Sequence, residues 1–229
     1  MRDFIVKILL RLGLYRPMIA FINQIKFKQQ VRKMRKNGLE MLQMADQAFT
    51  SMGVQAFLTF GTLLGAYRDK GFIAYDPDVD LGVIDGNLPK NMYEVMAKHG
   101  FQLCKQNIIS ETNQVIEDTY TYKGIHLDVF HYFEKGDDYY TLVAQLHETK
   151  DWKEANATDG FPCEKVSVVK TEFQQQNFMN IEVYMPIKTH EWLVDMYSES
   201  YMTPIKNWSE NDHKTRRSKS TKRSYRKLY

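Results

Sequence analysis

The chain has two cysteines, Cys104 and Cys163, and that scarcity excludes both a disulfide framework and a Cys-rich zinc cluster. A reducing compartment is the natural reading. Long apolar runs are missing as well. In MRDFIVKILLRLGLYRPMIAFINQIKFKQQ, the residues Arg11, Gly13, Arg16 and Pro17 interrupt every stretch that could span a bilayer. A cleavable signal peptide needs an unbroken apolar region and then small residues, and neither is present. Acid is almost absent from both ends: residues 1–36 carry ten Lys/Arg and one acid, Asp3, while residues 213–229 carry eight Lys/Arg and none. Of 31 basic and 28 acidic side chains the middle therefore keeps 13 and 27, a formal charge of −14 inside a chain of net +3.

What is present bounds the fold. With 229 residues and 43% hydrophobic content, the chain can bury one sizeable core, and disorder as the main state is excluded. An aromatic fraction of 13% suits a stacking or sugar-binding cleft, and equally well a core. Three parts are expected: a basic amphipathic segment over 1–36, a main domain over 37–210, and a basic flexible tail over 211–229 that lacks apolar periodicity. In the first part Phe4, Ile5, Ile8, Leu9 and Leu12 share one helical face, with Lys7 and Arg11 off it. Such a segment can lie on an anionic membrane surface or pack on the body.

From about Met18 to Met52 the apolar residues keep helical spacing, which predicts one long helix or two in series, stopped at Gly53. Strand-like runs follow at Ala56–Phe60 and Val79–Ile84, joined by a helical piece around Leu63–Arg68. A helix bounded by Pro89 and Gly100 precedes further strands at Phe101–Ile109, Val115–Tyr122, Ile125–Phe133 and Tyr139–Leu146. Strand-like pieces at Val166–Val169 and Asn180–Tyr184 lead to a helix over Thr189–Tyr197. This order points to an α+β or α/β domain with a mixed sheet.

The stretch FGTLLGAYRDKGFIAYDPDVDLGV, Phe60 to Val83, carries the chemistry. Gly61 and Thr62 close a strand and open a helix, where backbone amides and a hydroxyl favour a phosphate oxygen. Asp76, Asp78 and Asp80 alternate, so in an extended chain they project from one face and repel one another unless a cation lies between them. Mg²⁺ or Mn²⁺, hard ions that take carboxylate, water and phosphate oxygens, suit that place. The same residues also read as a solvated acidic turn, but Leu81, Val83 and Ile84 place Asp80 on a buried strand, where a charge needs a partner. Asp128 stands in a similar apolar context in GIHLDVF, as a third metal-binding or proton-transferring acid or as a hydrogen-bonded structural one. His126 would share its face, as a structural histidine or a ligand; His131 and His147 have no partner at ligand spacing. Trp152, Trp192 and Trp208 read as packing residues with a sugar platform as the alternative, and Met34, Met41, Met44 and Met52 as helical core.

These residues resemble the LicD/fukutin family of the nucleotidyltransferase superfamily, which includes bacterial phosphocholine transferases. The likeness rests on Gly61-Thr62, the following Arg68 and Gly71, the Asp76-x-Asp78-x-Asp80 run, Leu127-Asp128, and the stretch from Phe161 through Trp208. It spans roughly Met44 to Trp208. The resemblance implies an α+β nucleotidyltransferase-like fold: a mixed β-sheet core flanked by helices, with long N-terminal helices and a catalytic domain over 37–210. It implies that Asp78 and Asp80 ligate the catalytic metal, Mg²⁺ or Mn²⁺, with Asp128 as third acid and ligand and Asp76 as the less constant acid of the motif. Gly61 and Thr62 would contact donor phosphate. Arg68 would contact phosphate or pair with one of the aspartates. The implied reaction moves a phosphorylated alcohol (phosphocholine, ribitol phosphate or glycerol phosphate) from a CDP-linked donor to a hydroxyl of a capsule, lipopolysaccharide or teichoic-acid-like glycan. A pyrophosphate-releasing nucleotidyltransferase and a non-catalytic membrane- or polymer-binding scaffold are the alternatives. The spacing from Gly61-Thr62 to Asp78 is longer than in ordinary nucleotidyltransferases, as the LicD group shares. The chain lacks the transmembrane anchor of Golgi-resident fukutins, so a cytoplasmic protein, peripheral at most at the inner face of the membrane, is expected. The basic tail has no companion recognition motif, and no nucleic-acid partner is expected.

Overall fold

A run of apolar side chains at three- and four-residue spacing builds the first element, helix α1 (Tyr15–Ser51). The computed structural model describes residues 11, 14–86, 88–146, 152–205 and 216–229. The second half of α1 buries Met34, Met41, Leu42, Ala45, Ala48 and Phe49, while Met44 and Met52 pack at the edge. It is one continuous helix, so the boundary expected between residues 36 and 37 falls within it. Gly53, at φ +69°, follows as the left-handed residue that lets the chain turn away. The amphipathic face proposed for Phe4 to Leu12 lies outside the described residues.

The chain then enters a ten-stranded mixed sheet through β1 (Phe57–Leu58), the short helix α2 (Phe60–Leu64), a π-turn (Gly65–Asp69) and β2 (Asp78–Ile84). Helix α3 (Met92–Lys98) leads to β3 (Gln102–Ile109), β4 (Val115–Tyr122), β5 (Ile125–Lys135) and β6 (Asp138–Ala144). Helix α4 (Trp152–Ala157), β7 (Phe161–Val169), β8 (Phe173–Phe178), β9 (Ile181–Pro186), helix α5 (Thr189–Tyr197), a 3₁₀ turn (Glu199–Met202) and β10 (Arg217–Leu228) complete the chain. The fold is α+β, as expected. The order across the sheet is β4-β3-β10-β7-β6-β5-β2-β1-β9-β8, and β4 also pairs with β5. The pairings β4-β3-β10-β7-β6-β5 thus close into a ring, from which β2, β1, β9 and β8 extend beyond β5.

Strand β2 runs parallel to β5, and its five central residues are buried, as the apolar run LGV after Asp80 requires. Phe57 lies across it: a Cβ at Gly82 would stand 2.3 Å from the Phe57 ring, so only glycine admits this approach. Phe57 stacks on Phe173 at 4.0 Å and meets Trp192 edge-on at 5.7 Å. Trp192 is fully buried and serves the core, not a sugar platform.

The last strand corrects the sequence reading. Residues 217–228 were expected to belong to a flexible basic tail, yet they form β10, hydrogen-bonded between β3 and β7. Its three arginines find partners on the body. Arg217 Nη1 donates to Glu164 Oε2 at 3.2 Å, Arg223 to the carbonyls of Asp159 and Gly160, and Arg226 Nε to Asn107 Oδ1 at 3.1 Å. Just ahead of the strand, Arg216 pairs with Asp138 and Asp195. Apolar alternation, the usual strand signal, is missing because polar pairs take the place of a hydrophobic face. Strand β8 also escaped the sequence reading, since FQQQNF is half exposed and has little apolar content.

Candidate active site

The site forms where β1 ends and the chain turns sharply into α2. Phe60 takes φ +40°, a conformation unfavourable for a side-chain-bearing residue and held here by its surroundings. Its ring packs on Phe130 at 4.4 Å. The turn brings the Gly61 N–H to Asp80 Oδ2 at 2.9 Å, and the Asp80 N–H donates to Thr62 Oγ1 at 2.9 Å. A Cβ at Gly61 would stand 2.6 Å from Asp76 Oδ2 and 3.2 Å from Asp80 Oδ2, so the absence of a side chain there lets the carboxylates approach the backbone. Thr62 is buried, and its hydroxyl accepts from the Asp80 amide.

Asp76, Asp78 and Asp80 each place a carboxylate oxygen within 4.8 Å of the others. Burial raises the pKa of all three. A hydrogen bond with Asp78 offsets part of the rise at Asp76. Asp78 is pushed up to about 8 by burial and by the charge of Asp76. Asp80 lies well above the ordinary carboxylate range through burial and then repulsion from Asp78, Asp76 and Asp128. Three such groups in contact are costly as anions and become favourable around a hard divalent cation, which their all-oxygen donor set suits. Asp76, carried with less weight from the sequence, is one of the three.

Asp128 is the neighbour of this trio across the sheet. It pairs in register with Asp80 across β2 and β5 but stands outside the close-set trio, and its carboxylate accepts a hydrogen bond from Thr119 Oγ1. Burial raises its pKa to about 7, with Lys105 pulling down and Glu117 and Asp78 pushing up. Lys105, 3.5 Å from Glu117, and Arg226 are cations that sequence reasoning did not connect with the site; both act on Asp128 through strands β3 and β10. Arg68 spends Nε and Nη2 on its neighbour Asp69 and directs Nη1 to the Tyr201 carbonyl at 3.3 Å. His126, paired in register with Asp78, is exposed.

His131, to which the sequence gave no role, is bound on both ring nitrogens: Nδ1 lies 3.1 Å from Asp85 Oδ1 and Nε2 3.0 Å from Asp118 Oδ2. The carboxylates lie far from it in sequence, so spacing alone could not reveal them. His147 and Trp208, and the side chain of Trp152, lie outside the described residues.

A cavity of about 670 Å³ opens over the trio. Asp76, Asp78 and Asp80 line it together with Phe27 from α1, Phe60, Tyr75, Phe130, Tyr197 and Tyr201, and with Arg68 and Arg217. Polar groups at one place in an otherwise aromatic and aliphatic cleft are the usual make-up of a small-molecule site. Its volume suits a nucleotide-sized ligand.

A family model described as "LicD/FKTN/FKRP, nucleotidyltransferase domain" matches residues 53–186, from the turn after α1 to the end of β9. The mouse protein named Ribitol-5-phosphate transferase FKTN is 28% identical over 197 residues, which cover 85% of this chain and 40% of that protein. The human protein of the same name is 27% identical over 197 residues, with the same two shares. The chain thus spans about 40% of the length of the curated relatives it matches. The matched region holds the Gly61-Thr62 turn, the three clustered aspartates and Asp128, and by that match the chain belongs to the LicD/FKTN/FKRP nucleotidyltransferase-domain family.

Proposed function

We propose that this chain is a metal-dependent phosphotransferase that moves a polyol phosphate from a CDP-linked donor to a hydroxyl of a glycan. The observation that carries the reading is the trio Asp76, Asp78 and Asp80, gathered at a nucleotide-sized cavity. Ribitol phosphate is the preferred group, because the relatives that match are named ribitol-5-phosphate transferases; glycerol phosphate and phosphocholine are the other candidates. A divalent cation held by the trio, Mg²⁺ or Mn²⁺, would neutralise the charge of the donor phosphates and of the departing CMP.

The residues around it divide the remaining work. Gly61 and Thr62 hold Asp80 from its side chain and its backbone. Phe60, Tyr75 and Phe130 shield the reacting groups from water and offer flat faces to a base or sugar. The acceptor oxygen bonds to the phosphorus that carries the alcohol, the bond from that phosphorus to CMP breaks, and the acceptor proton passes to a carboxylate. Asp128, in register with Asp80 and held by a hydrogen bond from Thr119, is the carboxylate placed to take that proton.

A second reading, nucleotidyl transfer with release of pyrophosphate, is favoured by the nucleotidyltransferase description of the family model. Products separate the two. Incubation with CDP-ribitol, CDP-glycerol or CDP-choline, Mn²⁺ and a glycan acceptor gives CMP on the preferred route. Pyrophosphate from CTP or ATP, with no CMP from any CDP-alcohol, would replace it.

Contact with an anionic membrane is also proposed. Among the described residues no helix is long and apolar enough to cross a bilayer. The first half of α1 nevertheless exposes Leu14, Phe21, Ile22 and Ile25, which with Met18 form one face opposite the packed residues. No acid occurs between Asp3 and Glu40, so the charges beside this stripe are all basic. Phe27, seven residues before the buried Met34, lines the cavity from the other side of the same helix, so docking through the stripe leaves the cavity open.

A further inference from the structure

Among the described residues five charged side chains line the cavity: the three aspartates, Arg68 and Arg217. The two guanidinium groups are not equivalent. Arg68 has its Nε and Nη2 on Asp69 and its Nη1 on the Tyr201 carbonyl. Arg217, the first residue of β10, has a side chain only 3% exposed and donates Nη1 to Glu164. Its Nε is buried and has no hydrogen-bond partner among the described residues. A buried N–H on a fixed positive charge, left without an acceptor, is costly, and such a donor on a residue that lines the cavity calls for an acceptor supplied by a ligand.

The chemistry of the cavity narrows that ligand. A guanidinium presents its donors as a planar fork that matches phosphate oxygens, whereas a neutral sugar would leave its charge unmet. Phosphate is also the group that a cation on Asp76, Asp78 and Asp80 attracts. We propose that Arg217 is the phosphate-binding cation of this cavity, its unpartnered Nε–H donating to an anionic oxygen of the donor diphosphate. This rests on the functional reading above. Glu164 fixes the fork from outside, and β10, which lies beyond the span matched by the family model, is the element that delivers it. Arg68, by contrast, braces the π-turn against the 3₁₀ turn.

The test is calorimetric binding to the full chain, with CDP or inorganic pyrophosphate as the probe in the presence of Mn²⁺, and with Mn²⁺ alone. For Arg217→Gln the affinity for either phosphate probe is expected to fall by on the order of 10- to 100-fold, the worth of a hydrogen bond to a charged group, while Mn²⁺ binding alone stays unchanged. Arg217→Lys keeps the charge next to Glu164 but loses the fork, and a smaller loss is expected. If near-UV circular dichroism shows that Arg217→Gln does not fold, Arg217→Lys decides. Wild-type binding matched within about twofold by a folded variant overturns the role of Arg217 and leaves the proposed function standing. A wild-type chain that takes up Mn²⁺ but neither CDP nor pyrophosphate overturns both.

Discussion

The Gly61 amide donates to Asp80 Oδ2 at 2.9 Å, and the space a Cβ at Gly61 would fill is taken by Asp76 Oδ2 at 2.6 Å. One backbone position therefore both holds one carboxylate and admits a second. Gly61→Ala is expected to fold, since the atom it meets is the end of a side chain that can rotate away. The displaced Asp76 would open the trio. Turnover should fall by on the order of 100-fold, the usual effect of misplacing a catalytic group by about 1 Å. Steady-state rates beside a thermal melt check this; wild-type turnover in a folded Gly61→Ala protein would remove the trio from the mechanism.

The crowded carboxylates make a second prediction. Because burial holds Asp78 and Asp80 far above their usual pKa, with Asp76 adding to the rise at Asp78 and both Asp78 and Asp76 to that at Asp80, a divalent cation that binds the folded chain should stabilise it. At a concentration of Mn²⁺ about 100 times its dissociation constant the gain is about 2.7 kcal/mol. Asp78→Asn and Asp80→Asn should abolish the metal-dependent rise in Tm and leave the metal-free protein at least as stable as wild type, since each replaces a carboxyl whose ionised form the metal-free site disfavours. Differential scanning calorimetry with EDTA and with Mn²⁺ separates these effects. An undiminished rise in both variants would place the cation elsewhere.

His131 gives a pH signature separate from the site. Burial draws its pKa down, but hydrogen bonds to Asp118 and Asp85 outweigh this and raise it from the usual 6.5 to about 9. A histidine whose folded pKa lies above the unfolded one stabilises fully below the unfolded value, and the contribution fades as pH rises through the folded one. The chain should therefore lose about 3 kcal/mol from this residue between about pH 6.5 and pH 9. His131→Gln should be less stable at pH 6 and flatter across that window. Urea unfolding at several pH values measures it, and equal slopes for variant and wild type would contradict the assignment.

How far the sequence could be read follows from what kind of interaction makes each element. Helix α1, β2 to β6 and α5 are legible because burial on one or two faces imposes a period on their apolar residues. The aspartates of β2 are legible because three acids before an apolar run conflict with solvent-only roles. Strand β10 is not, because the buried side chain of Arg217 and the half-buried Arg226 meet Glu164 and Asn107, partners that no local pattern announces. The charge asymmetry was the available sign: a body of −14 between two basic ends invites the ends to fold onto it. For the same reason Lys105 and Arg226 beside Asp128 could not be foreseen, and neither could the clamp that Thr62 forms on Asp80.

The basic stripe of α1 leads to the last prediction. Leu14, Phe21, Ile22 and Ile25 are exposed on a helix whose neighbouring charges are Lys26, Lys28, Arg32 and Lys33, an arrangement that places apolar side chains at the acyl boundary and bases among anionic headgroups. Each base near such a surface contributes about 1 kcal/mol at low salt, so binding should be strong on vesicles rich in phosphatidylserine, weak on phosphatidylcholine, and reduced by added salt. Phe21→Asp with Ile25→Asp should release the protein from the vesicles and leave CMP production with a soluble acceptor unchanged, because neither side chain lines the cavity. Co-sedimentation with vesicles of the two compositions reads this directly. Retained binding in the double variant would assign any attachment to another surface, and equal binding to both lipids would remove the electrostatic part of the argument.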